Sequence, residues 1–549
     1  MVRSSPSCHR SPERTDRVLV AAFDHPGGFS LFVQDGWSAG SPHRVINQTP
    51  PTSAVLPVQL FASALPGRRD LGSPAPQWHP PTGHRQTIGM PHEQSKAAYE
   101  QLRAAHLNAV RASLEDHVAR LEWPRRRIER YQSERLRSLL TYARERSPFH
   151  AARMADIDPA TATVDDLVRL PPMVKQEAQD QWDAIVTAPD ITRAGAERVL
   201  AEQPWFSYTP AGYQVFSSGG SSGVRGVYVW DWEQFITLAC LAWRWQARAE
   251  RASGTDRSPA RLAVLAAGEP PHASTPLFDI ATEPATETVV IPAAAPFDEV
   301  LRVVADTRPQ SLVGYSSLIG RLARAAMAGD LEIRPVRVST NSEPLSEEDR
   351  DAIGGAWGAP VHNLWGSTEI GVQAVGCGSG DGLHICEDEV ILERVDSAWR
   401  PVGPDEPAAR TLATGLAGRT FPFIRYDLGD DVTLLSGRCA CGSSMLRVAD
   451  IAGRRDDDFR YGDRMIPASA FRYVLGTDPL ISEYQVRQTT HGAEVLVVGS
   501  PNVSAVAAAL VSSLGRYGLS NPEMNVSIVE QIPRHTSTGK LKRFLALHS

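Results

Sequence analysis

No apolar run in this 549-residue chain approaches the stretch of about 18–20 residues that a membrane helix needs. The longest weakly charged segment, residues 263–295, is broken by proline, glutamate and histidine. A membrane-spanning protein is therefore not expected. Cysteine is scarce: Cys8, Cys240, Cys377, Cys386, Cys439 and Cys441 are too few for a disulfide framework in a chain of this size. That scarcity fits a reduced, cytoplasmic protein. Excess positive charge is also missing. A net charge of −7 gives no reason to expect nucleic acid as the main partner. The Arg-bearing start has acidic residues interspersed and no apolar core with a small-residue cleavage site, so it does not read as a targeting peptide. No internal repeat is visible. The glycine-rich stretch near residue 220 lacks the Gly-Lys-Ser/Thr that would complete a GxxxxGK[ST] nucleotide loop.

What is present is a globular composition, 42% hydrophobic and 22% charged, long enough for more than one domain. Residues 1–89 are rich in Pro, Ser, Gly, His and Arg without periodicity, which predicts poor order. An upstream extension with true initiation at Met90 is one explanation. From Glu93 to Arg146 the pattern is helical, with Leu136, Leu139, Leu140 and Ala143 recurring at steps of three and four. The run Arg125-Arg126-Arg127 is interleaved with acids and reads as a solvated helix face. From residue 204 to 449 short strands alternate with helices. Strands are predicted at 262–266, 288–291, 336–339 and 361–365, and helices at 298–307 and 318–328. A boundary is expected near 451–458. It separates a large α/β domain with mixed sheets and helices, residues 90–452, from a small mobile α+β domain, residues 453–549. In the small domain, strands at 494–498 and 525–529 flank a helix at 504–515.

The segment Phe216 to Gly226 follows one β-prone run and precedes another. Its glycines can turn sharply, and its backbone N–H groups and serine hydroxyls, with Arg225 as a fixed charge, can converge on a polyphosphate. A flexible linker or plain hairpin would use the same composition. Further motifs follow in order: Ser339-Thr-Asn-Ser-Glu-Pro-Leu345 at a strand end, Trp365-Gly-Ser-Thr-Glu369 after another, Phe423-Ile-Arg-Tyr-Asp-Leu-Gly-Asp430, Gly453-Arg-Arg-Asp-Asp457, and Pro533 to Arg543 near the C-terminus. Singly, each is a helix cap, a turn or a basic tail. Their joint occurrence in this order is far more specific.

Together the motifs resemble those of the adenylate-forming superfamily of acyl-CoA ligases, luciferases and adenylation domains. The chain is most similar to the phenylacetate–CoA ligase branch, whose likeness extends to Gln132–His150 and Leu170–Gln176. The resemblance implies an ATP-dependent acid ligase. It forms an acyl-adenylate and then a thioester, with CoA as acceptor and an aryl or apolar carboxylic acid as substrate. Ser218, Gly219, Gly220, Ser221, Ser222 and Gly223 would cradle the β- and γ-phosphates. Ser342, Glu343 and Pro344 would lie along the adenine, with Trp365 stacked near it beside Gly366 and Ser367. Thr368 would touch the α-phosphate and Glu369 would hold Mg²⁺. Asp430 would bind the ribose, with Arg425 and Arg454 as phosphate or ribose contacts. Asp456 would be the hinge, and Lys540 would bridge the acid, the α-phosphate and the ribose. The rival readings keep adenylation but pass the acyl group to a carrier protein or an amine, or keep only the fold as a non-catalytic binding protein. A phosphotransferase would release ADP. The sequence leaves room for a homodimer.

Two features qualify the resemblance. Family loops often read Ser-Ser-Gly-Thr-Thr-Gly-Lys-Pro, whereas Ser221-Ser222 and Val224-Arg225 stand here. The stretch Asp458 to Pro467 is more polar than the family's CoA-facing turn. An acid pocket is expected from Leu265 to Phe278 and near Gly314-Tyr315, with His272 available to orient a carboxylate. Separately, Cys377 and His384, with Cys439-Ala-Cys441, make a Cys₃His set suited to a closed structural Zn²⁺ site. Cys386 is an alternative ligand, and some relatives look similar in this pairing.

Overall fold

The helical pattern resolves into two helices, His92–Arg120 and Arg125–Arg146, parted by a turn that ends at Pro124. Proline cannot donate to a helical ladder and disfavours helix in the residue before it. In the second helix Leu136, Leu139, Leu140 and Ala143 are all buried, on the stripe their spacing predicts. The computed structural model describes residues 18–23, 29–34, 92–202 and 209–547. Within the last range the segments 210–211, 219–224, 254–260, 268–271, 274–276, 278–286, 380–381, 452–456 and 536–538 and the single positions 405, 407, 431, 477 and 479 lie outside the description. The expected lack of order over residues 1–89 falls for the most part outside it too.

The strands are Val18–Phe23 (β1), Phe29–Gln34 (β2), Gln214–Ser218 (β3), Gly226–Trp230 (β4), Arg261–Ala266 (β5), Glu287–Pro292 (β6), Ser311–Tyr315 (β7), Arg337–Asn341 (β8), Val361–Ser367 (β9), Gly371–Val375 (β10) and Leu383–Ile385 (β11). Val390–Val395 (β12), Arg410–Gly415 (β13), Tyr426–Asp427 (β14), Leu434–Leu435 (β15) and Arg447–Val448 (β16) complete the large domain. An 11-stranded sheet runs β15-β16-β11-β10-β9-β8-β7-β5-β6-β1-β2. Its middle, β6 to β9, is parallel, as alternating strands and helices dictate. Alternate residues of β5 serve opposite faces. Leu262, Val264 and Ala266 join a core with the helix Trp232–Ser253, while Ala263 and Leu265 join one with Val300, Leu318 and Ile353. The hairpin β3–β4 and the sheet β12-β13-β14 are hydrogen-bonded separately from this sheet.

The N-terminal helices are tied to the sheet by charge. Glu387, Asp388 and Glu389 are buried in succession, and together they accept from arginines on three helices. Arg244 binds Asp388 bidentately at 2.8 and 3.0 Å, with both side chains fully buried. Arg120 and Arg135 reach Glu389 at 2.9 and 2.8 Å, and Arg125 reaches Glu387 at 2.6 Å. Burial alone would raise the Asp388 carboxyl, but Arg244 and Arg120 outweigh it and hold the group below the ordinary carboxylate range.

The last part of the chain has its own core and sheet. Phe459–Tyr461 (β17) and Arg464–Ile466 (β18) form a hairpin, and Ile481–Gln488 (β19), Gly492–Gly499 (β20), Glu523–Ile528 (β21) and Phe544–Leu545 (β22) form a sheet ordered β21-β20-β19-β22. The helices Ser469–Leu475 and Val503–Gly515 cover it. A large N-terminal α/β domain is thus followed by a small C-terminal one.

Asp388→Asn would leave Arg244 buried without a counter-charge. We expect a loss of about 3–5 kcal/mol from the large domain, read as a lower urea midpoint. Asp388 contributes stability above its unfolded-state pKa, and that contribution is lost as pH falls below the ordinary carboxylate range. A change under about 1 kcal/mol would show that the pair is not what anchors the helices.

Candidate active site

The carboxyl ends of the parallel strands, where open α/β sheets place ligands, carry most of the motifs. After β8 the chain turns at Ser342, whose φ of 65° lies in the left-handed region and whose Oγ donates to Asn341 Oδ1 at 2.8 Å. After β9 the turn Ser367-Thr368-Glu369-Ile370 leads back into antiparallel β10. It is pinned by Ile370 N–H donating to Ser367 Oγ at 3.2 Å and by Trp230 Nε1–H donating to Thr368 O at 3.1 Å. Gly366 is needed at this turn because a Cβ there would sit 2.8 Å from Gly371 O.

Glu369 is buried, and its Oε1 accepts from the Tyr228 hydroxyl at 2.7 Å and the Tyr426 hydroxyl at 3.2 Å. Two neutral donors hold the carboxylate in place without neutralising it. Trp365 Nε1–H donates to Asp430 Oδ2 at 2.8 Å, which joins two residues 65 positions apart. Lys540 lies on a turn closed by His535 N–H to Lys540 O at 3.0 Å and Gly539 N–H to His535 O at 2.8 Å. Gly539 has φ +68°, and a Cβ there would meet the Ala293–Ala294 backbone at 2.3–2.5 Å. The tip is therefore pressed against the end of β6. Lys540 Nζ stands 5.6 Å from the Tyr315 ring centroid at the end of β7.

Ser218, Ser342, Glu343, Trp365, Thr368, Glu369, Asp430 and Lys540 are all described, on the ends of β3, β7, β8 and β9 and the segments that meet them. Gly219, Gly220, Ser221, Ser222, Gly223, Arg454 and Asp456 lie outside the described residues. Glu343 has both carboxylate oxygens engaged by protein, with Oε1 accepting from Leu541 N–H at 2.6 Å and Oε2 from Ser317 N–H at 3.2 Å. Pro344 is exposed.

Arg425 is a correction to the sequence reading. Its guanidinium is buried and directed to Glu393 Oε1 at 2.9 Å, to the carbonyls of Val168 and Leu170 at 3.2 and 2.6 Å, and to that of Trp399 at 2.9 Å. A buried guanidinium needs such a full set of acceptors, and they tie down the segment before residue 171. Arg225 likewise pairs with Glu197 at 2.6 Å. Lys175 Nζ donates to Ser218 Oγ, at the end of β3, at 3.1 Å. Sequence reading passed over Lys175, Tyr228 and Tyr426. Nothing in the spacing links residue 175 to 218 or 228 to 369. The Lys in Pro171-Pro-Met-Val-Lys175 and the Tyr in the Phe423–Asp430 motif were the available signals.

His272 is set near the same turn. Burial first, then the charges of Lys540 and His535, pull its imidazole down to about 4, so it is neutral near pH 7.

The Cys₃His set also comes together. Donor atoms of Cys377, His384, Cys439 and Cys441 lie within 4.8 Å of one another. Cys377 Sγ is 3.6 Å from Cys439 Sγ, and Cys441 Sγ is 3.3 Å from His384 Nε2. His384 Nδ1 is buried without a hydrogen-bond partner. Cys386 is not in this group. It is fully buried beside Arg244, and burial pushes its thiol up to about 12.

No family model matches the chain. The phenylacetate–coenzyme A ligase of Thermus thermophilus is 24% identical over 373 residues, covering 66% of this chain and 78% of that protein. Protein CapK of Staphylococcus aureus is 27% identical over 129 residues, 23% of this chain and 27% of its own length. Among solved structures, 2-hydroxyisobutyryl-CoA ligase in its postadenylation state matches with TM-scores of 0.59 and 0.60, in complex with R3-HIB-AMP and 2-HIB-AMP respectively. Both are 20% identical and cover 78% of this chain and 92% of that one. The fold is that of the adenylate-forming enzymes, a large α/β domain with a small C-terminal α/β domain. In sequence the chain shows a distant similarity, 24% over two thirds of its length, to phenylacetate–coenzyme A ligase.

Lys540→Ala should raise the His272 pKa towards 6.5, measured by NMR of labelled imidazole. In the parent protein the depressed His272 weakens the fold as pH falls from about 6.5 to about 4, because the unfolded chain takes the proton first. An unchanged His272 titration would mean that the Lys540 turn does not dock there.

Proposed function

We propose that the protein is an AMP-forming acid–thiol ligase. A carboxylate oxygen of the substrate acid attacks the α-phosphorus of ATP, and the bond to pyrophosphate breaks. A thiol then attacks the acyl carbonyl, and AMP departs with the oxygen it took from the acid. CoA is the favoured thiol, and a small aryl or apolar acid the favoured substrate. The observation behind this reading is that Glu369 follows β9, Asp430 is held by Trp365 of β9, and Lys540 stands 5.6 Å from the Tyr315 ring at the end of β7, so three distant parts of the chain come to the carboxyl ends of parallel strands parted only by β8.

Each residue answers a specific need. Two anions must approach, so positive charge must gather at the α-phosphate. Lys540, on a turn pressed against the end of β6, can approach the reacting oxygens. The buried carboxylate of Glu369, held by two tyrosine hydroxyls, suits Mg²⁺, which when bound neutralises phosphate charge. Asp430, fixed by Trp365, can accept from ribose hydroxyls. Thr368 lies on the same turn as Glu369, for the α-phosphate. Lys175 and the loop Ser218 to Gly223 supply donors for the outer phosphates, with Ser342, Glu343, Pro344, Gly366, Ser367 and Arg454 around the nucleoside. Asp456 is the hinge between residues 90–452 and 453–549.

The Cys₃His group fits Zn²⁺, since three thiolates and an imidazole converge within reach of one ion. Cys377 and His384 flank the β10–β11 turn, and Cys439 and Cys441 follow β15. Bound zinc would staple these two segments and add to stability.

The decisive assay is acid-dependent pyrophosphate release from MgATP over a panel of aryl and aliphatic acids, with AMP and ADP resolved, and with CoA, a phosphopantetheinyl carrier protein or an amine as acceptor. Pyrophosphate and AMP with at least one acid, and a CoA thioester, are expected. ADP would point to phosphotransfer, and silence across the panel to a non-catalytic binding protein. Lys540→Ala should lower adenylation roughly 10²–10³-fold with ATP binding nearly intact. Unchanged adenylation would refute its role. For the metal, elemental analysis should find one zinc per chain, lost in Cys439→Ala together with several degrees of melting temperature. Metal-free protein of unchanged stability would exclude the site.

A further inference from the structure

The strand that follows Lys540 ends on a shared carboxylate. Asp349, on the first turn of the helix Glu347–Trp357, is 1% exposed. Its Oδ1 accepts from Arg324 Nη2 at 2.9 Å, a contact within the large domain. Its Oδ2 accepts from Arg543 Nη2 at 3.0 Å, a contact from the small domain. Arg543 is rooted in the small domain, since its carbonyl accepts from Val486 N–H of β19 at 2.7 Å and its guanidinium lies 5.0 Å from the Tyr484 ring centroid. Upstream of Lys540, Arg534 donates to Ser317 Oγ at 3.0 Å and pairs with Glu483 of its own domain. The Lys540 turn is thus gripped on both sides by side chains of the large domain.

We propose that Asp349 is a positioning residue, a post on which Arg543 docks to hold Lys540 at the sheet edge for the first half-reaction and from which it detaches for the second. The geometry makes the contact reversible. Breaking a buried ion pair is costly when one partner is left bare. When Arg543 leaves, Asp349 keeps Arg324, so no uncompensated carboxylate is left behind and the guanidinium gains water. Arg543 is three residues from Lys540, a span of about 10 Å along an extended strand. Asp349 therefore acts through chain position and does not touch the reacting atoms. Docking itself does not depend on the chemistry, whereas the assignment of half-reactions rests on the adenylation reading above.

The test uses the full chain and Asp349→Asn, which keeps shape and removes charge. In amide hydrogen exchange, peptides covering residues 534–545 should exchange at least tenfold faster in the variant, with β19 and β20 unchanged. Unchanged exchange at 534–545 would overturn the proposal. So would acceleration spread through β19 and β20, which would mark a merely structural role. With phenylacetate as the probe acid, ATP–pyrophosphate exchange should fall about tenfold, while CoA thiolysis of supplied phenylacetyl-adenylate holds or quickens. Equal losses in both half-reactions would also overturn it. If the parent protein shows no exchange with any acid of the panel, the adenylation reading fails, and hydrogen exchange alone decides whether Asp349 is the post.

Discussion

The pairing of Arg244 with Asp388 is the constraint on which the rest of the large domain leans. A fully buried guanidinium and carboxylate tolerate one arrangement, because any loosening exposes a bare charge to an apolar interior. The helix Trp232–Ser253 carries that arginine, and its other residues lie under the functional turns. Leu238 closes against Gly371 just after Glu369, Gln234 against Gly418, and the Trp245 ring is 4.6 Å from that of His384. Fixing this helix therefore fixes the floor beneath both the Glu369 turn and the Cys₃His group. The flanking arginines of the two N-terminal helices extend the same logic outward to Glu387 and Glu389.

Above that floor the site is built from contacts that combine distant pieces of chain. Tyr228 and Tyr426 reach one carboxylate from different sheets, and Trp365 reaches Asp430. Lys540 arrives on a separately folded domain whose own core is complete without the large one. A charge needed for one chemical step and in the way of the next is well placed on such a domain. Glu343 and Asp349 of the large domain accept from Leu541 N–H and from Arg543 of the small one.

Much of this was legible in the sequence, for physical reasons. Alternation in Leu262–Ala266 and the three-and-four spacing from Leu136 to Ala143 report burial on defined faces, and both elements form where expected. Motifs confined to one strand end, such as Trp365–Glu369, carried their own context. The Cys₃His convergence was readable because few residue types ligate zinc, although only the structure excludes Cys386. Contacts between residues far apart in sequence were not readable. Arg425 stood within a motif and was taken for a ligand contact. The carbonyls of Val168, Leu170 and Trp399 that claim it have no sequence signature. Lys175 is the converse case, a lysine in a segment noted only for its family likeness that the fold sets beside Ser218.

The central claim is that an acid oxygen becomes bonded to the α-phosphorus of ATP. Its most direct test is turnover of a substrate acid labelled with ¹⁸O in both carboxylate positions, followed by mass analysis of the nucleotide. AMP carrying one ¹⁸O and unlabelled pyrophosphate are expected. Unlabelled AMP, or label found in phosphate alongside ADP, would contradict it.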